Sequence, residues 1–152
     1  MRILKLNEDL KQLEHVRVVS GSVLGQTHKG KSVLIPLFGK NAQNSEAAQA
    51  SILQPGLDRF VMETTTGTYY LCAFEDLNNN LSLDENEPAG FFGTPKKIMI
   101  SEKSPSTMAG FDITLTTPNR VSRFFSGNIS ISPEKIRNSF VRIGQVIIGM
   151  TL

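Results

Sequence analysis

Seven short stretches, 16–24, 33–38, 48–53, 57–64, 68–74, 97–101 and 110–116, read as candidate strands, most of them rich in β-branched and aromatic residues, and no long helical pattern separates them. That spacing constrains the fold more than any other feature, because such side chains suit a pleated, half-buried surface and recur in strands. In the last stretch Phe111, Ile113 and Leu115 alternate with Asp112, Thr114 and Thr116. A period of two sends one set inward and the other to water. Pro55-Gly56, Gly67 and Ser104-Pro105 punctuate the runs as turns. The pattern predicts an all-β fold, an antiparallel sandwich of about seven strands over residues 15–117.

The flanks read differently. Asn7 can cap a short helical turn carrying Leu10 and Leu13, which makes residues 1–14 an N-terminal extension. At the other end, Ser132 stands as an N-cap and Pro133 at the first helical position, and Ile136, Phe140, Ile143 and Ile147 then recur on one face. Residues 118–152 are therefore expected to be a linker and an amphipathic helix that packs on the sandwich or leads into a further domain. Arg120, Arg123, Lys135, Arg137 and Arg142 make this tail basic, so an anionic membrane surface stays open as a partner.

Composition limits the partner classes. With 16 Lys and Arg against 14 Asp and Glu, the net charge of +2 is too near neutral to argue for nucleic acid. The single Cys72 excludes an internal disulfide, and its place in the run Tyr70, Cys72, Phe74 points it into the core. The first residues lack an apolar signal region, and no stretch approaches the roughly 20 apolar residues of a membrane span. No export signal and no anchor are expected in the chain as written.

The most chemically suggestive stretch follows the fifth run. Asp76, Asn78, Asn80, Asp84 and Glu87 fall at positions 1, 3, 5, 9 and 12 of a calcium-binding loop, and Ser82 at position 7 would offer its carbonyl. Alternating carboxylates and amides supply the oxygens that a hard cation needs. Position 6, a sharply turning Gly in the helix-flanked version, is Leu81, and the preceding 68–74 run reads as a strand. Asn and Asp also dominate metal-free turns by bonding their own backbone, so a metal-free turn stands as the second reading. If calcium binds, its role is structural, since no nucleophile or general base lies nearby.

Gly25-Gln26-Thr27-His28-Lys29-Gly30-Lys31-Ser32 satisfies the phosphate-loop expression GxxxxGKS. That loop works only when a helix begins at the Lys-Ser and aims its free N–H groups at the phosphates. Here Val33-Leu34-Ile35-Pro36-Leu37-Phe38 follows, where a proline inside the second helical turn would cost about 3 kcal/mol or more. The nucleotide reading is rejected, and 27–31 is expected to be a hairpin turn between two strands. His15 and His28 lack partners at ligand or triad spacing, and no GxSxG, HExxH or CxxC occurs. No catalytic residue is assigned.

Residues 69–95, YYLCAFEDLNNNLSLDENEPAGFFGTP, resemble part of the β-sandwich domain that precedes the catalytic domain in a group of bacterial α/β-hydrolases. The pattern is a strand ending in A-F-x-D, an Asn/Gly/Asp-rich loop, then E-P-A-G with aromatics and Gly. The architecture is similar to transthyretin-like, or prealbumin-like, accessory modules of extracytoplasmic proteins. The resemblance extends over residues 10–118, with Gly21-Ser22-Val23 and the 111–115 strand in matching places. Asn79 stands where the pattern has Gly, and no nucleophile elbow, acid or histidine of the catalytic half occurs before Leu152. The resemblance implies a non-catalytic accessory domain that packs on a hydrolase catalytic domain in cis or in trans. The longer parent would be a serine α/β-hydrolase, and the compartment the cell envelope. The alternative is a stand-alone calcium-dependent binding module of the cell envelope.

Overall fold

The computed structural model describes residues 16–27, 30–39, 47–93, 95–124 and 129–138. The strands are β1 (Arg17–Leu24), β2 (Val33–Gly39), β3 (Gln49–Leu53), β4 (Arg59–Thr64), β5 (Gly67–Glu75), β6 (Ala89–Phe91), β7 (Ile98–Ile100), β8 (Thr107–Met108), β9 (Ile113–Thr114) and β10 (Ile136–Asn138). A one-turn helix α1 (Val121–Phe124) and a 3-10 turn (Pro133–Lys135) complete the described elements. One sheet runs β4-β1-β8, with β9 farther along β1; the other runs β10-β3-β2-β5-β6, with β7 at the opposite end of β5.

The two sheets face each other across a core that their patterns foretell. In β1, Val19 and Val23 are buried while Val18, Ser20 and Ser22 are half-buried. Val19, Val23, Phe60 and Met62 of the first sheet meet Val33, Ile35, Leu37, Leu71 and Ala73 of the second, closed by Ile98, Ile100, Ile113 and Leu115. Burying each of the larger side chains contributes about 1.5–3 kcal/mol.

The second sheet is covered on its outer face as well. Leu34, Phe38, Ala50, Cys72 and Phe74 point outward into a second cluster with Leu83, Val121, Ile129 and Ile131. This is why β2 is buried at every residue from 33 to 38 and reads as an unbroken apolar run without alternation. Pro36 sits inside this central strand, opposite Ala50 of β3. Toward β5 the pairs Leu34↔Phe74 and Leu37↔Leu71 keep one register on either side of the proline. The missing N–H therefore interrupts the ladder without shifting it.

The sandwich is all-β as expected, but its sheets are mixed. β1 runs parallel to β8 and β9, and β10 runs parallel to β3, while the other pairings are antiparallel. Parallel neighbours need long connections, and these partners are far apart in the chain, where local turn signals are silent. The 27–31 turn is no hairpin: β1 and β2 belong to different sheets, so the connection crosses the sandwich. At the tail, Ser132 makes no side-chain cap, and after the 3-10 turn Ile136 is already extended. Ile136–Asn138 pair with 50–52 as β10, so the helix expected to begin at Ser132 does not begin there. A vacant sheet edge and β-branched Ile136, packed on the outer core, override the capping signal. Phe140, Ile143 and Ile147 lie outside the described residues, as do 1–14, His15 and His28.

At one side the sheets are joined, where Phe92 bridges Ile113 and Ala89 bridges Thr116. Gly90 allows this approach, since a Cβ there would run into the Thr114 carbonyl oxygen. At the other side β3 seals the edge of β4: Ser51 Oγ donates to the Val61 carbonyl at 3.3 Å, and Gln49 Nε2 donates to the Glu63 carbonyl.

Candidate functional site

β5 carries the chain out of the core and into residues 76–87. Glu75 and Asp76 at its end are 0% and 2% exposed. A buried carboxylate needs donors, and the loop supplies them from its own main chain. Asp76 Oδ1 accepts the Asn80 N–H at 3.3 Å and Oδ2 accepts the Leu81 N–H at 3.0 Å. Glu87, 1% exposed, accepts the Leu77 N–H on Oε2 at 2.7 Å and the Asp84 N–H on Oε1 at 2.8 Å. Asn80 Oδ1 accepts the Ser82 N–H at 3.0 Å, and Asn78 Nδ2 donates to Asp84 Oδ2 at 2.9 Å.

These bonds hold a tightly curved backbone that has no glycine. Asn79 and Leu81 both adopt left-handed φ, 57° and 60°. Leu81 thus takes the turn conformation at the position where the helix-flanked calcium loop has Gly, a non-glycine strain of about 1–3 kcal/mol. It does so with its side chain packed against the outer core.

The Glu87 carboxyl titrates above its ordinary range. Burial is the main cause, and the Asp84 and Asp76 charges push the same way, while the N–H groups of Asp84 and Leu77 pull it back.

The six predicted ligand residues therefore come together, with Asp76, Asn80 and Glu87 turned toward backbone N–H groups. Calcium takes six to eight oxygens at about 2.3–2.6 Å. Oxygens of Asp76, Asn80, Asp84 and Glu87 accept hydrogen bonds within the loop, so cation binding would exchange several of these bonds for metal contacts. Among the described residues no group of three or more Asp, Glu, His and Cys is placed to hold a metal ion.

What the loop does hold is the C-terminal segment. The Leu83 N–H donates to the Ile129 carbonyl and the Ile131 N–H to the Leu81 carbonyl, both at 2.9 Å. Ser82 bridges Ser130 between them, their hydroxyls 3.2 Å apart. Asn119, 5% exposed, directs Nδ2 at the carbonyls of Asp84, Glu85 and Glu87, at 3.2, 3.1 and 2.7 Å. Farther along, Lys135 Nζ donates to the Ala47 carbonyl at 3.1 Å, and β10 adds to β3. The result is a clasp in which residues 76–87 hold Asn119 and 129–131 over the outer face of the second sheet. Sequence reasoning passed over Asn119, Ile129 and Ile131, although the alternation Ile129, Ser130, Ile131, Ser132 carries a strand's period.

The remaining chemistry is structural in placement. Cys72 is fully buried, and burial pushes its thiol well up, away from the reactive thiolate. In the GxxxxGKS segment, the Thr27 N–H is engaged by Glu75 Oε1 at 2.6 Å, and a strand follows Ser32. That carboxylate stands where a phosphate cradle would need positive potential. Every buried side-chain N or O among the described residues has a hydrogen-bond partner. No described helix is long and apolar enough to cross a membrane. No protein-family profile, curated protein or solved structure significantly matches this chain.

Proposed function

We propose that this chain is a non-catalytic β-sandwich accessory module, of the kind its central segment resembles, that packs on or positions a hydrolase catalytic domain in cis or in trans. The observation that carries the reading is the clasp. Loop 76–87 directs its buried carboxylates at its own backbone and fixes the segment leading to the C-terminus. A face built this way serves as a rigid mount, because a fixed surface sets the orientation of whatever packs on it. Purified chain assayed on short-chain nitrophenyl esters is expected to show no turnover above the uncatalysed rate. Turnover that survives further purification would overturn the non-catalytic reading.

We also propose structural calcium at Asp76, Asn78, Asn80, Ser82, Asp84 and Glu87, a role supported by the spacing of these residues around one curved backbone. The measurement is the melting temperature across a calcium titration, with chelator and magnesium controls. Ligand binding to the native state at 100 times Kd adds about 2.7 kcal/mol, so a selective site raises melting with calcium and not with magnesium. Asp76→Ala would abolish that rise. A melting temperature indifferent to calcium, with Asp76→Ala equally destabilised in both buffers, would leave the loop as a hydrogen-bonded clasp alone.

A further inference from the structure

We draw no further inference here: the strongest candidate, the half-exposed aromatic surface patch formed by Tyr70, Phe91 and Phe124 on the outer face of the second sheet beside α1, carries nothing because nothing among the described residues shows what covers it.

Discussion

Asn119 serves three carbonyls of the loop with one amide group, and its position decides what a substitution there does. Asn119→Asp keeps the shape but replaces the donor with an acceptor, setting a carboxylate against carbonyl oxygens. Leaving buried polar groups unpaired costs about 1–3 kcal/mol. Asn119→Asp is therefore expected to lower stability by at least that much, and by no less than Asn119→Ala, in urea unfolding. Equal stability of wild type and Asn119→Asp would remove Asn119 from the clasp. Glu87 makes a second prediction, with a pH sign. Its folded carboxyl titrates above the ordinary Glu value of about 4.3, because burial disfavours the charge. The native state then binds the proton more readily than the unfolded chain. Glu87 contributes stability that is fully present below the unfolded value and is lost as pH rises through the folded one. Glu87→Gln cannot titrate, and its amide faces the N–H groups of Leu77 and Asp84. Its deficit relative to wild type is expected to be about 1–3 kcal/mol at neutral pH and to widen as pH falls toward about 4. A deficit that narrows over that range would contradict the assignment.

Between elements, β6 and β9 approach closely where the two sheets join, at Phe92↔Ile113 and Ala89↔Thr116. Gly90→Ala would press a methyl group against the Thr114 carbonyl oxygen. The backbone must yield there, since no flexible side chain can move aside, and overpacking of this kind costs about 1–3 kcal/mol or more. The expected readout is a clear drop in melting temperature, while Gly39→Ala, where an added Cβ meets nothing, leaves it nearly unchanged. Equal effects at the two glycines would show that β6 and β9 do not approach this closely. Among the described residues β10 ends its sheet, and there Arg137 Nη1 donates to the carbonyls of Glu134 and Ile136 at 2.8 and 3.0 Å. The chain's own cation thus covers main-chain acceptors that a neighbouring strand could otherwise use.

For the whole molecule, the consequence of a second core is that residues beyond the β9 strand belong to the folding unit. Val121, Ile129 and Ile131 are each 2% exposed or less and cover Leu34, Phe38, Cys72 and Phe74. A chain ending at residue 118 would leave that apolar face to water, and is expected to bind a hydrophobic dye and lose cooperative melting. A chain ending at residue 138 is expected to melt cooperatively. Cooperative melting of the shorter chain, without dye binding, would show that the outer core is dispensable. The sequence by itself determined which residues face inward, because a period of two is written into neighbours such as Ile113 and Leu115, buried beside exposed Thr114 and Thr116, although only Ile113–Thr114 of the expected 110–116 strand pairs as one. It also determined that 33–38 is no helix, through Pro36, and that 76–87 is a tightly curved polar loop, because Asn and Asp tolerate turn conformations. Only the tertiary structure decided the parallel placement of β8, β9 and β10, since those partners are distant in the chain and no local propensity encodes them. It likewise decided that Ser132-Pro133 opens a single turn instead of a helix, and that Asn119 and Ile129 close over the loop. Those outcomes depend on which edge and which apolar face remain open once the sandwich has formed, and burying that face outweighs the helical preference of a few residues.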